Sequence, residues 1–251
     1  MTLSVQVKAA SKIYRSGGDR VRALDNVSFT VQEGEFVSLL GPSGCGKSTL
    51  LWAIAGLKAL DSGAILLDAD AIQKPHPGIA FIFQEPTLLP WRTVIENIAF
   101  PLELRRDKRD GSEERISPLI KRVGLQGFER HFPKALSGGM QQRASIVRAL
   151  AADPSVLLMD EPFSALDPFT REDMNLLLQD IWIETGKTMI LVTHSIEEAA
   201  LLSDRVVVMT PRPGRVSKVI EIDLPRPRTA DVLMTPEFFA LTAEIRRAIA
   251  H

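Results

Sequence analysis

A single cysteine, Cys45, stands in this chain of 251 residues, so an intrachain disulfide framework is excluded and a reducing compartment is expected. Charge of one sign is also missing. Thirty Lys and Arg against 31 Asp and Glu leave a formal net charge of −1. That is not the basic footprint of a protein held on nucleic acid by its phosphates, and no nucleic-acid partner is expected. No apolar run approaches the ~20 residues needed to cross a bilayer. The opening stretch, interrupted by Gln6 and Lys8, lacks the long apolar core of a secretory signal. These absences point to a soluble cytosolic protein, so any membrane role must come through a partner. What is present is ordinary: 45% hydrophobic and 24% charged residues, enough for a large domain or for a core with an attached subdomain.

Along the chain, Val5–Tyr14 and Val21–Val31 disperse β-formers among polar residues on either side of Ser16-Gly17-Gly18-Asp19, which predicts a hairpin-like antiparallel element. Phe36–Leu40 is a short apolar run that ends at Gly41, and Lys47–Leu57 follows as a helix. Strand, glycine-rich turn and helix in that order suit a phosphate-binding loop. Ile65–Leu67 and Ile79–Phe83 read as further strands. Between Pro86 and about Asp153 the segments Ile95–Leu104, Glu113–Val123 and Met140–Ala152 read as helices, an insertion into an α/β core. Strands Val156–Met159, Thr188–Val192 and Arg205–Met209 then alternate with helices Pro168–Thr185 and Ile196–Leu202. This alternation implies a parallel sheet covered on both faces. Pro211-Arg212-Pro213-Gly214 turns into a strand over Arg215–Ile222, and Pro225-Arg226-Pro227-Arg228 links to a terminal helix from about Pro236.

Gly41-Pro42-Ser43-Gly44-Cys45-Gly46-Lys47-Ser48 fits G-x-x-x-x-G-K-[ST], with Thr49 next. The glycines let successive N–H groups turn inward as a nest for phosphate oxygens, and the helix start adds its positive dipole end. Lys47 is expected at the β- and γ-phosphates, and the Ser48 hydroxyl on Mg²⁺. Cys45 sits at a variable position, where a small residue merely fits. Val156–Met159 ends in Asp160-Glu161. Asp160 suits a role holding Mg²⁺ directly or through water, and Glu161 can polarise the attacking water as a general base. His194 follows a strand directly, where parallel sheets bind ligands, though a lone histidine there is as readily a surface residue. Gln84 follows Ile79–Phe83 in the same way; its amide oxygen can touch Mg²⁺ or the attacking water. Leu136-Ser137-Gly138-Gly139-Met140 opens a helix, with Ser137 as cap and two glycines exposing N–H groups. The residues alone leave open whether this is an ordinary turn or an outward phosphate site completed in a two-fold dimer.

In order and spacing these elements resemble the nucleotide-binding subunits of ATP-binding cassette (ABC) transporters, from Val5 to Ile222: the loop Gly41–Thr49, Gln84, the signature from Leu136 to Arg143, Val156–Glu161, Ser164-Ala165-Leu166-Asp167 and His194. The resemblance implies an α/β fold of the P-loop NTPase type, a RecA-like parallel-sheet core with an N-terminal antiparallel β subdomain and an inserted helical subdomain. It implies one domain over 1–251, with a core at about 1–85 and 154–222, helices at about 86–153 and a C-terminal extension at about 223–251. It also implies ATP and Mg²⁺, with Ser48, Gln84 and Asp160 near the metal. Tyr14, the only tyrosine, would stack on adenine. Glu161 would be the base, with His194, Gln84 and Lys47 beside it. Two copies would meet head to tail, each placing Ser137, Gly138 and Gly139 on its partner's ATP. Met140 departs from the glutamine usual in the signature.

The resemblance further implies two membrane permease subunits docking near Leu88, Leu89, Trp91 and Arg92, a periplasmic or extracellular solute-binding protein acting indirectly, and a peripheral place on the cytoplasmic face of the membrane. Leu88–Arg92, Glu161–Asp167 and Pro211–Val216 look like the importers of nitrate, sulfonates and taurine. A soluble or other-lineage cassette ATPase is the alternative expectation.

Overall fold

Val5–Ser16 (β1) and Asp19–Val31 (β2) pair antiparallel from Val5 opposite Val31 to Ser16 opposite Asp19 in the computed structural model, which describes residues 3–16, 19–104 and 112–250. The expected turn residues Gly17 and Gly18 lie outside the described residues. Phe36–Leu40 (β3) leads through the glycine-rich loop into Lys47–Ile54 (α1), shorter than the helix expected to Leu57. Ser62–Leu67 (β4) returns to pair antiparallel with β1, and the two-residue strand Asp70–Ala71 (β5) pairs with β4. The first sheet thus has the order β2-β1-β4-β5.

Ile79–Ile82 (β6), Val156–Asp160 (β7), Thr188–Thr193 (β8), Arg205–Met209 (β9) and Val216–Glu221 (β10) join β3 in a second sheet of order β10-β9-β3-β8-β7-β6. Its strands from β9 to β6 are parallel, and β10 closes one edge antiparallel. Strands β3, β7 and β8 are buried along their whole length, which is why they read as continuous apolar runs and not as alternating ones. Their side chains still alternate by face. Val37, Leu39, Val156 and Leu158 pack with Leu50 and Ile54 of α1 and with the first sheet, while Phe36, Leu157 and Met159 pack with Met174 and Leu178 from Pro168–Thr185 (α5).

Three helices, Val94–Leu104 (α2), Ser112–Arg122 (α3) and Gly138–Ala151 (α4), share a separate apolar cluster that includes Ile98, Ile116, Ile120, Ala144 and Val147. The helix expected from Met140 begins two residues earlier because Ser137, in extended conformation, caps it: its hydroxyl accepts from Met140 N at 3.3 Å. Ile196–Leu202 (α6) and Pro236–Ala250 (α7) cover the β9–β10 end of the second sheet, where Leu40, Val206 and Val208 meet Phe238 and Ile245. Among the described residues no helix is long and apolar enough to cross a membrane.

Candidate active site

Parallel register brings four strand ends to one edge. Leu40 pairs with Thr193, Asp160 with Val192 and Ile82 with Met159, so Gly41, His194, Glu161 and Gln84 all leave the sheet at its carboxyl side. That is where open parallel sheets hold ligands.

At the first of these ends the chain wraps back on itself. Gly46 has φ +105°, and a Cβ there would come within 2.8 Å of Ala23 O, so only glycine fits the step into α1. No side chain caps this helix, which leaves its first N–H groups facing the loop. The buried Lys47 ammonium curls over the loop and donates to Gly41 O at 2.7 Å and Pro42 O at 3.1 Å. These partners are neutral carbonyls, so its charge is not cancelled by them. Cys45 is buried within the same turn, as a small residue that packs. A cavity of about 460 Å³ opens over the loop, lined by Ser43, Gly44, Lys47, Ser48 and Thr49, by Tyr14, Val21 and Ala23 of the first sheet, and by Glu161 and Arg212. Tyr14 is fixed here by its hydroxyl, 3.3 Å from Thr49 Oγ1, with the Lys58 ammonium 5.4 Å from its ring centre.

Ser48 Oγ donates to Asp160 Oδ1 at 2.9 Å, which sets two hard oxygen donors side by side. Burial raises the Asp160 carboxyl above its ordinary value; the Ser48 hydrogen bond opposes that, the charge of Glu161 adds to it, and Lys47 offsets it. A carboxylate so desolvated is stabilised by a divalent cation. The donors fit Mg²⁺, which takes one or two protein oxygens and borrows the rest from phosphate and water. Among the described residues no cluster of three or more His, Cys, Asp or Glu is placed to hold a metal by itself.

Glu161 stands one residue beyond, in the left-handed region at φ +47°, its N–H bonded to Val192 O at 2.9 Å. Its carboxylate lies 3.1 Å from His194 Nδ1. Gln84 is not drawn to Ser48 and Asp160; its amide donates to Ser164 Oγ at 3.2 Å, and Ser164 donates to Glu161 O at 3.0 Å. Glutamine and histidine therefore approach the same turn from two strand ends. Ser137, Gly138 and Gly139 do not line the cavity; Ser137 and Gly138 lie exposed at the head of α4, and a Cβ on Gly139 would meet Thr170 at the head of α5. Asp167 caps that helix, accepting from Thr170 N at 3.1 Å. Met140 turns partly inward against the helical cluster.

Of the apolar segment after Gln84, Leu88 packs inward on the helical cluster and the backbone N–H of Leu89 is taken by Asn97 at 2.7 Å. Arg92 pairs with Glu103 at 2.8 Å and lies over Phe100. Trp91 is the one held outward, 71% exposed. Two residues escaped the sequence reading. Arg212 was read as part of a turn and of the importer resemblance, with no role of its own, yet it borders the cavity 168 residues along from Gly44. Glu198, on α6, is buried behind His194 with Oε1 lacking a hydrogen-bond partner. No local pattern carries either position; only the fold does.

Against this geometry, residues 24–164 match the family model described as ABC transporter. The chain is 48% identical over 227 residues to the aliphatic sulfonates import ATP-binding protein of Bacillus cereus, covering 90% of this chain and 89% of that protein. It is 49% identical over 239 residues to the taurine import ATP-binding protein of Rhizobium johnstonii, covering 93% and 91%. A solved dimeric ATP-binding cassette in a post-hydrolysis state, bound to ADP and Pi, superposes with a TM-score of 0.77 at 35% identity, over 88% of this chain and 100% of that one.

Proposed function

The chain belongs to the ABC transporter family, and from that premise we propose that it is the ATP-binding, ATP-hydrolysing subunit of an importer for a small solute of the sulfonate or taurine kind. The observation that carries the mechanism is the juxtaposition, at one cavity, of the Lys47 loop, the Ser48–Asp160 pair and the Glu161–His194 pair.

Lys47 and the backbone N–H groups of Gly41–Thr49 bind the phosphates of ATP, and Tyr14 supports the adenine. Ser48 and Asp160 would hold Mg²⁺, which neutralises phosphate charge when bound, while Gln84 reaches the Glu161 turn through Ser164. Glu161 takes the proton of the attacking water as its oxygen bonds to the terminal phosphorus and the bridging P–O bond to ADP breaks. His194 positions that carboxylate. Little covalent work falls to the protein, so orientation and charge dominate the rate.

Ser137 and Gly138, exposed at the head of α4, and the half-buried Gly139 beside them supply the rest of the site to a second copy. The solved relatives are dimers, and a head-to-tail pair gives each phosphate chain one loop and one signature. Trp91 supports a permease contact where it stands, since an exposed aromatic beside a committed arginine is the composition of an interface anchor. On this reading the chain acts as one domain with an inserted helical part, peripheral at the cytoplasmic face, and reaches its solute-binding protein only through the permease. Purified alone, the Glu161→Gln variant should bind ATP and collect as an ATP-held dimer in gel filtration, and with its membrane subunits it should lose ~10²–10⁴-fold in turnover. Near-normal turnover would take Glu161 out of the role.

A further inference from the structure

The Pro211-Arg212-Pro213-Gly214 turn is bolted to the phosphate loop more tightly than a connecting hairpin requires. Gly214 lies so close that a Cβ would sit 2.0 Å from Cys45 O, and a Cβ on Gly41 would come 2.8 Å from Met209 O. Gly214 N donates to Ala23 O at 2.9 Å, Asp25 N returns a bond to Gly214 O at 3.0 Å, and Arg215 pairs with Asp25 through Nε at 2.8 Å. The turn is thereby registered against both the loop and the first sheet.

Arg212 is the residue this bracing presents. Its Nε donates to Gly44 O at 3.3 Å, a terminal nitrogen lies 3.1 Å from where a Gly44 Cβ would be, and the side chain lines the same cavity as Lys47 and Tyr14. It is exposed, and among the described residues no carboxylate pairs with it. A long arginine beside an anion nest, with donors unspent on any acid, matches the planar fork that binds phosphate oxygens.

We propose that Arg212 is a second cation for the phosphate chain of the nucleotide, donating from its guanidinium to a phosphate oxygen held in this cavity. This rests on the nucleotide-site reading given under Proposed function. Lys47 enters the cavity from the helix and Arg212 from the far hairpin, so the chain grips the phosphates from two separate elements.

Calorimetric titration of the full chain with Mg-ADP at low and high salt tests this. Arg212→Ala should weaken binding about tenfold and flatten its salt dependence, and Arg212→Lys should recover part of both. Wild-type affinity in Arg212→Ala would overturn the proposal. So would an Arg212→Lys variant as weak as Arg212→Ala with the wild-type salt slope, which is the signature of a brace for Gly44. Lys47→Ala serves as the reference. If it bound Mg-ADP as well as wild type, the nucleotide site itself would be misassigned and both readings would fall together.

Discussion

Glu161 sits where its backbone resists it. A non-glycine residue at positive φ carries roughly 1–3 kcal/mol of strain, and here the bonds of Glu161 to Val192 O and from Ser164 hold it there. Lys47, Ser48, Asp160 and Glu161 were legible in the sequence because loop and strand end are contiguous motifs, each with its chemistry written in neighbouring residues. Glu198 was not legible, since its setting is assembled from three segments. Burial raises its carboxyl above the ordinary 4.5, with the Thr193 hydrogen bond and the charges of Arg171 and His194 opposing that rise and the charge of Glu161 adding to it. The folded chain therefore holds this proton more tightly than the unfolded one. The sign is that of a cost: stability drains away as pH climbs from 4.5 through the raised folded value. Glu198→Gln cannot ionise, so its stability relative to wild type should shift in the variant's favour as pH rises from 4.5 towards neutrality. Urea titrations at the two ends of that range check it, and a pH-independent difference would show that Glu198 titrates normally.

At the scale of elements, the buried parallel strands read directly from their apolar runs, and α5 and α6 from their alternation with those strands, while the short pieces did not. Asp70–Ala71 is two residues long, and the single 3₁₀ turns at Pro133–Ala135 and Ala230–Met234 are too brief for any periodicity to develop. The segment Pro225–Arg228 read as a linker, and its last residue is more than that. Arg228 is 1% exposed and donates to the carbonyls of Ala200, Leu201, Ser203, Ile222 and Leu224, while Gln179 bonds its backbone on both sides. Burial pulls its guanidinium down to about 10, so it is still charged at neutral pH, at the carbonyl end of α6 where a cation complements the helix dipole. Arg228→Met would strand those carbonyls in the interior. We expect a loss of about 3 kcal/mol or more in urea unfolding, with faster amide exchange in α7. Wild-type stability in that variant would mean the carbonyls find other partners.

For the molecule as a whole, the signature residues Ser137–Gly139 do not line the cavity over their own loop, so on the proposed reading activity depends on how often two chains meet. Specific turnover of the chain without membrane subunits should fall on dilution as the dimer dissociates, and restoring concentration should restore it. A constant specific rate across about a hundredfold dilution would place both halves of the site in one chain or in a pair that never parts. The buried arginine at the root of the tail has a different consequence. A survey of every single substitution, scored by growth on the imported solute, would mark position 228 as intolerant as position 47, since no other side chain supplies so many donors in one plane. Tolerance alone would then draw two hot centres on this molecule, only one of which ever sees a phosphate.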